Sequence, residues 1–431
     1  MWNAAGERAY ITGMGSNNVI VINRQGARID NIEVGEGPTG VVLHPAGNRA
    51  FVLNKFDGSI SIVDLANNAE TQRVDYFDPT PVAIKAGRPL LYDTHATSGL
   101  GQLSCASCHV EGRTDRLAWD LGDPRGEGTV IKTWQGRDET TPTERTHPSL
   151  KGPLLTMTLQ DIIGSTNMHW SGDKADLGHF AEAFVNLQGA DTPATLAETK
   201  AFETFLDSIH IPPNPNRNFD NSFSANVQIP GPNGTVARVG DANLGAERFE
   251  SGCRSCHRGH STRGNVSLGS NGFGLDVMKI APTWRNFHER YGLWFQSADG
   301  SNSGFGFQQD GTFDSTHNAT RSDDLMAFML SVNGRFPYEP EGLSEGNHSK
   351  DTHAAVGAQL MLNGTPSDDD NARLATFVEL ADFGEVGLVV NGVVNGETRG
   401  YSYVGNNTFQ SDRAAEQVSF AVLNDLSLIH I

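Results

Sequence analysis

The feature that most constrains this chain is a short motif, C-x-x-C-H, that occurs twice. It lies at residues 105–109 and again at residues 253–257. The two motifs hold all 4 cysteines of the 431-residue chain. No thiol is left for a disulfide framework, so the cysteines serve one shared chemistry.

Three kinds of site use two thiols at this spacing: covalent haem, zinc and a redox dithiol. In covalent haem attachment, the thiols bond to the vinyl groups of the porphyrin and the following histidine ligates the iron. Structural zinc sites usually place paired C-x-x-C units close together in sequence, whereas 148 residues separate Cys105 from Cys253. A redox dithiol does not require the trailing histidine. The repeated motif therefore favours haem.

The motifs thus predict two covalently bound haem c groups. Two thiols of each motif form the thioether bonds, and the histidine of each motif is the proximal iron ligand. These residues are Cys105, Cys108 and His109 in the first motif, and Cys253, Cys256 and His257 in the second. Covalent attachment of haem c takes place outside the cytoplasm. We therefore expect a periplasmic or exported protein of the bacterial cell envelope.

The composition limits the partners that this chain can bind. Its formal net charge of -19 at pH 7 argues against nucleic acid, whose phosphates attract basic surfaces. The same charge suits a small basic redox protein as electron donor or acceptor. Hydrophobic residues make up 37% of the chain, without a long uninterrupted apolar run, so we expect no transmembrane segment.

The first 78 residues contain an internal repeat. The segment RAYITGMGSNNVIVIN from Arg8 aligns with RAFVLNKFDGSISIVD from Arg49, an offset of 41 residues. Alternating β-branched residues at a period of about 40 predict β-propeller blades, with an ordinary β-meander as the alternative. Two blades cannot close a ring, and the final LSLIHI resembles an assembly artefact. We therefore expect the natural protein to be longer.

Helical patterns follow the repeat. Apolar residues recur at helical spacing in residues 177–189 and 194–210, and residues 322–333 predict a helix capped by Ser322 or Asp323. A helix is also predicted to lead into each C-x-x-C-H motif. In residues 386–413, Asn-Gly turns between β-rich runs predict a hairpin.

These patterns predict a multidomain protein. Partial all-β propeller blades over residues 1–78 are followed by two mainly α cytochrome c-type haem domains, over 79–213 and 214–340. A small helix and β-hairpin region is expected over 341–431.

The segments around both motifs resemble a known family. The stretches AGRPLLYDTHATSGLGQLSCASCH and MHWSGDKADLGHFAEAF in the first half, and GAERFESGCRSCH and GFGFQQDGTFD in the second, are similar to bacterial diheme cytochrome c peroxidases. The wider superfamily includes diheme enzymes that oxidise protein tryptophans. The N-terminal repeat resembles YVTN-type propeller repeats. The resemblance covers roughly residues 86–340 and implies one haem for electron transfer and one that reacts with peroxide or a similar oxidant.

The resemblance also suggests which residues approach the two irons and the haem carboxylates. His169, in a tip loop similar to the haem-facing segment of the family, is the candidate distal ligand of the first iron. Met326 and Met329, on the predicted closing helix, are candidates for the second iron, although methionine on such a helix often fills a core. Arg285 is a candidate partner of a haem propionate, since guanidinium groups bind carboxylates well. Competing distal ligands for the first iron are Met157, Met168, His147 and His179.

Three functions remain open at this stage. A peroxidase-like oxidoreductase needs one iron with an open or labile site for peroxide, whereas a non-catalytic electron-transfer cytochrome has two permanent protein ligands on each iron. A third hypothesis makes the propeller a partner-docking module that carries redox haems. We favour the oxidoreductase.

Overall fold

The computed structural model describes residues 1–121, 129–133, 143–147, 153–163, 168–170, 174–230, 236–253, 267–268, 279–280, 287–291, 293–296, 302–305, 322–332, 352–363, 366–394, 397–413, 416–419 and 428–430. Three of the predicted haem-binding residues, Cys256, His257 and Arg285, lie outside this set.

The helices within the described residues are mostly short. They are α1 (Val82–Tyr92), α2 (Thr94–Thr97), α3 (Ala183–Asn186), α4 (Leu196–Leu206), α5 (Ala242–Gly252), α6 (Phe287–Arg290), α7 (Asp323–Leu330) and α8 (Asp368–Asp382). Turns of 3-10 helix lie at Cys105–Ser107, Val110–Gly112 and Leu177–Phe180.

The strands form several separate antiparallel sheets. In chain order they are β1 (Arg8–Gly13), β2 (Asn18–Asn23), β3 (Arg28–Glu33), β4 (Pro38–Leu43), β5 (Arg49–Asn54), β6 (Ser59–Asp64), β7 (Ala69–Asp75), β8 (Ala118–Trp119), β9 (Thr129–Thr133), β10 (Thr143–His147), β11 (Leu154–Leu155), β12 (Val227–Pro230), β13 (Val236–Gly240), β14 (Ser267–Leu268), β15 (Lys279–Ile280), β16 (Leu293–Gln296), β17 (Asn302–Phe305), β18 (Met361–Asn363), β19 (Val389–Val394), β20 (Glu397–Gly405), β21 (Thr408–Ser411), β22 (Gln417–Ser419) and β23 (Leu428–His430). Two-stranded ladders join β8 with β11, β9 with β10, β12 with β13, β14 with β15, and β16 with β17.

The two copies of the sequence repeat form two neighbouring sheets. Strands β1–β2–β3 make a three-stranded sheet and β4–β5–β6–β7 a four-stranded one. The alternation of the sequence buries one face of each strand, as in β6, where every second residue is buried. Valines from both sheets, such as Val21 and Val52, share one apolar core. The first sheet also holds the start of α2, because Thr94 N–H donates to the Gly15 carbonyl over 2.9 Å.

A close crossing of two helices flanks the first motif in sequence. Helix α1 packs against α4 at Gly87, where an added Cβ would lie 2.0 Å from the Ala201 carbonyl oxygen. Only glycine permits this approach of two backbones. Helix α4 begins at a capping box, in which Thr195 Oγ1 accepts from Glu198 N–H and the Glu198 carboxylate accepts from Thr195 N–H. The predicted helix in residues 194–210 is therefore confirmed over Leu196–Leu206.

A second crossing flanks the second motif in sequence. Helix α5 packs against α7 at Gly245, where an added Cβ would lie 2.0 Å from the Asp324 carbonyl oxygen. Four residues beyond Gly245, Phe249 is buried in the core of this pair. The predicted cap of α7 is confirmed, because Ser322 Oγ accepts from Leu325 N–H over 3.2 Å.

The expected fold class is wrong. The described residues are mostly β-structure in several small antiparallel sheets with few helices, and they contain no two mainly α haem domains. Of the longer helices, α1, α4, α5 and α7 form the two crossings that flank the motifs, and α8 lies in the C-terminal region. The polypeptide between the crossing helices is rich in glycine, threonine and proline, which favour turns and short ladders over helices.

The C-terminal region is larger than a hairpin. Its strands form a six-stranded sheet in the order β18–β23–β19–β20–β21–β22. Helix α8 packs Leu374 and Phe377 into a core with Tyr401 and Phe409 of the sheet. Local Asn-Gly turns predict the β19–β20 pair, but the pairing of β18 with β23 joins distant segments that no local pattern connects.

No helix in the described part of the chain is long and apolar enough to cross a membrane. The longest of these helices, α8, has 15 residues, whereas a membrane-spanning helix needs about 20.

Candidate functional site

The first motif lies on a single turn of chain between α2 and β8. Ser104 and Ser107 fix the start of the turn, since Ser104 N–H donates to Ser107 Oγ over 3.1 Å and Ser107 N–H donates to the Ser104 carbonyl over 3.0 Å. His109 N–H then donates to the Cys105 carbonyl over 2.8 Å. The turn therefore places the two thiols and the imidazole close together along the chain.

The His109 ring is held by a backbone carbonyl. Its Nδ1 lies 2.7 Å from the Met157 carbonyl oxygen, so Nδ1 carries the proton and donates. The other ring nitrogen, Nε2, is then an acceptor with a lone pair for a metal. In metal sites, the ring nitrogen of a histidine that does not bind the metal commonly makes a hydrogen bond of this kind, which orients the ring. Burial lowers the pKa of His109 below its usual range, which favours the neutral imidazole that binds metals.

The segment that carries the Met157 carbonyl is itself held against the motif. Strand β11 pairs with β8, which follows the motif, with Leu154 opposite Trp119. Leu159 N–H donates to the Gly112 carbonyl over 2.8 Å. Gly112 has a φ of 73°, a conformation that glycine adopts without strain. The two contacts bracket Met157 and set the position of its carbonyl group.

The two thiols differ in their surroundings. Cys105 Sγ accepts from Gln188 Nε2 over 3.3 Å, and burial raises the pKa of Cys105 to about 11. Burial also raises the pKa of Cys108, and the negative charge of Asp115 raises it further. Both thiols are therefore protonated at neutral pH, and neither forms a disulfide.

The tip loop predicted to face the first haem lies near His109. A positive charge on His169 would lower the pKa of His109 further, so the tip loop lies within electrostatic range of the first motif. The backbone of His169 has a φ of 73°, and its ring contacts Phe180 edge to face at 5.7 Å. Trp170 is buried and donates from Nε1 to the Leu155 carbonyl over 2.7 Å. This hydrogen bond ties the tip loop to the strand that precedes Met157.

The other candidate distal ligands of the first iron are dispersed. Met168 is buried and pairs with Lys174 in a β-bridge. Met157 contributes its backbone carbonyl to the His109 ring. His179 is exposed and bonds to Asp176 over 2.8 Å. The side chain of His147 lies outside what the structure describes.

The second motif is described only at its first cysteine. Cys253 follows α5, donates from its backbone N–H to the Phe249 carbonyl over 2.8 Å and packs against the core between α5 and α7. Met326 and Met329 are 0% and 1% exposed within that core. Their packing is that of core side chains. Cys256, His257 and Arg285 lie outside the described residues.

The loop behind the first motif contacts the second half of the chain. Arg113 forms a 3.0 Å ion pair with Glu289 on α6. Beside this pair, a cavity of about 440 Å³ lies between the prolines of residues 212–215 and α6. It is lined by Arg116, Pro212, Pro213, Pro215, His288, Glu289 and Tyr291. No sequence pattern predicts this junction, because its members are distant along the chain.

Clusters of three or more histidine, cysteine or acidic side chains suited to a bare metal ion do not occur among the described residues. The first motif instead offers two thiols and one free imidazole nitrogen. That donor set fits a covalently attached haem, which needs two sulfur atoms at its edge and one nitrogen for its iron.

Comparison with known proteins gives distant similarity alone. No family model matches the chain, and no curated protein matches it. A structure of Kuenenia stuttgartiensis hydrazine synthase pressurised with 20 bar xenon is similar over 59% of this chain and 89% of that chain, at 16% identity and a TM-score of 0.35. Another Kuenenia stuttgartiensis hydrazine synthase structure is similar over 48% of this chain and 70% of that one, at 15% identity and a TM-score of 0.18. Scores this low do not establish a shared fold.

Proposed function

We propose that the chain is a diheme c-type cytochrome oxidoreductase of the peroxidase type. One observation carries the proposal: the His109 ring is anchored through Nδ1 to the Met157 carbonyl at 2.7 Å, beside two reduced thiols. A structural zinc site is not favoured, because no group of three or more histidine, cysteine or acidic side chains among the described residues is arranged to hold a metal ion. A redox dithiol would not need the anchored imidazole.

Each residue of the first site has a defined task in this proposal. Cys105 and Cys108 form the two thioether bonds, and His109 ligates the iron through Nε2. The Met157 carbonyl holds the imidazole in the tautomer that leaves Nε2 free, and its hydrogen bond increases the basicity of the ligand. Haem supplies reversible one-electron exchange when bound. The second motif repeats this arrangement in sequence through Cys253, Cys256 and His257.

His169 determines which of the two sites carries electrons. Its proximity to His109 supports His169 as the second protein ligand of the first iron. An iron with two permanent protein ligands exchanges electrons and does not bind peroxide. We therefore assign electron transfer to the first site and the reaction with peroxide, or a similar oxidant, to the second.

The second site suits that role because its candidate methionines are used elsewhere. Met326 and Met329 pack among the apolar side chains of α5 and α7. A haem held there by Cys253, Cys256 and His257 without a methionine ligand would be able to react with a small molecule such as peroxide. The second candidate function is a non-catalytic electron-transfer cytochrome. His169 is consistent with both functions, because it implies electron transfer at the first site in either case.

Electrons would come from a small basic redox protein in the periplasm. The net charge of -19 favours association with a basic partner and makes the association rate sensitive to salt. Covalent haem attachment supports a location outside the cytoplasm.

Electron paramagnetic resonance of the ferric, matured protein tests the proposal. We expect one low-spin and one high-spin haem, with peroxide altering only the high-spin signal. His169→Ala should convert the low-spin signal to high-spin, whereas His179→Ala, an exposed histidine of the same region, should leave both signals unchanged. Two low-spin haems that do not react with peroxide would establish the electron-transfer cytochrome instead.

A further inference from the structure

Gln188 has a buried side chain that no part of the proposed mechanism uses. We propose that Gln188 is a positioning residue that orients the Cys105 thiol for attachment to the haem. This inference rests on the proposed function, because it assigns a role in building the first site. It concerns one side chain and one sulfur atom that lie 83 residues apart in sequence.

The contact between Gln188 and Cys105 is specific. Gln188 is 3% exposed, and its Nε2 donates to Cys105 Sγ over 3.3 Å. No donor among the described residues lies within hydrogen-bond distance of its buried Oε1. Burying an amide whose nitrogen bonds only to sulfur and whose oxygen accepts no hydrogen bond costs free energy. A hydrogen bond to that oxygen, from a ligand or from the thiol, would offset this cost.

The backbone fixes Gln188 against the loop that leads into the motif. Its N–H donates to the Ala183 carbonyl over 3.2 Å, and its own carbonyl accepts from Gly99 N–H over 3.4 Å. An added Cβ at Gly99 would lie 2.0 Å from the Gly189 carbonyl oxygen, so the two turns are in close contact. The amide is therefore held in place before any ligand binds, which reduces the entropy lost in orienting it.

The amide suits both chemical states of Cys105. Oxygen and nitrogen exchange places when the amide rotates by half a turn. The oxygen then accepts the S–H of the free thiol, and the N–H donates to the sulfur of the thioether. In attachment, the S–H of Cys105 adds across a vinyl double bond: a carbon–sulfur bond forms, the proton goes to the neighbouring vinyl carbon, and no external electron acceptor is needed.

Gln188→Met tests this role, since methionine keeps the size of the side chain and removes the hydrogen bond. The variant and the wild type are matured with haem and digested, and the peptide that spans the first motif is analysed by mass spectrometry. Attachment through Cys105 should fall roughly fivefold relative to attachment through Cys108, the factor expected for one hydrogen bond. Haem held through Cys108 alone keeps one conjugated vinyl group, so its reduced optical band should move to longer wavelength.

The second motif of the same molecules is the internal control, because attachment at Cys253 and Cys256 should not change. Equal Cys105 attachment in wild type and Gln188→Met overturns the inference and leaves the proposed function intact. A wild type without covalent haem overturns the proposed function itself. If Gln188→Met does not fold, Gln188→Asn replaces it, because the shorter side chain of asparagine does not reach Cys105. The same selective loss of attachment through Cys105 is expected. Normal attachment in this variant would overturn the inference.

Discussion

Arg113 and Glu289 form a 3.0 Å ion pair that joins the loop behind the first motif to helix α6. The pair is a contact between the two halves of the molecule, since Arg113 follows the first motif and Glu289 lies on the helix of the second half. The packing of this loop against α6 therefore includes a charged contact between distant segments.

A double-mutant cycle should give a small, salt-sensitive coupling between these two side chains. Arg113 is 45% exposed and Glu289 16%, so solvent screens the attraction. We expect a coupling of about 0.5 kcal/mol from Arg113→Gln, Glu289→Gln and the double variant, measured by thermal unfolding at low salt. The coupling should vanish in 1 M salt. A coupling that is absent at low salt would show that the pair does not hold the halves together.

Replacing the crossing glycines should destabilise the protein. An alanine at Gly245 would place its Cβ 2.0 Å from the Asp324 carbonyl oxygen, and the helices would have to separate. We expect Gly245→Ala to lower the free energy of unfolding by about 2 kcal/mol. Gly252→Ala is the matched control on the same helix, because nothing lies within 4 Å of its added Cβ. Equal effects of the two substitutions would contradict the close crossing of α5 and α7.

Alkylation of the haem-free chain should distinguish the two thiols of the first motif. Because burial raises the pKa of Cys105 from 9.0 to about 11, its thiolate fraction at pH 8 should be roughly a hundredfold below that of an ordinary cysteine. Cys108 should react first with iodoacetamide, and Cys105 should react only as the pH rises toward 11. The rates are read from mass spectra of the alkylated peptides. Faster reaction of Cys105 at pH 8 would contradict its burial.

The pH dependence of stability should change when Asp78 loses its charge. Lys85 and Thr80 hydrogen-bond to this carboxylate and hold its pKa well below the usual range. A carboxyl with a lowered pKa in the folded state stabilises the protein above its unfolded pKa, and the contribution is lost progressively as the pH falls from about 4 toward the lowered pKa of the folded state. Asp78→Asn should therefore lower the melting temperature at pH 7 and converge with the wild type in acid. Lys85→Gln should give the same pattern; a constant difference at all pH values would contradict the ion pair.

The helices around the motifs were accessible from sequence because each carries its own local signal. Two of these helices begin with cap contacts between residues close in sequence, Thr195 with Glu198 and Ser322 with Leu325. In each helix, the apolar residues that follow the cap recur at helical spacing. The intervening segments have no such signal. Ladders as short as Leu154–Leu155 with Ala118–Trp119 contain too few residues for a pattern of alternation, so the mainly α interpretation extended helices into regions that form β-structure.

The site itself could be predicted only in part. The motif names Cys105, Cys108 and His109, because the covalent chemistry demands those residue types. The carbonyl that orients His109 belongs to the backbone of Met157, 48 residues away. Because every residue has a backbone carbonyl, the sequence does not indicate which one makes this contact. Gln188 approaches Cys105 only after the chain has folded. Contacts between residues so far apart in sequence can be identified only from the structure.

The mass of the intact, matured chain tests the central claim most directly. The protein is produced with the cellular machinery for haem c attachment, and its mass is compared with that of the double variant Cys105→Ala, Cys108→Ala. We predict two covalently bound haems on the wild type and one on the variant, with the remaining haem on the peptide that contains Cys253 and Cys256. A chain that carries no haem and binds zinc stoichiometrically through these cysteines would contradict the account.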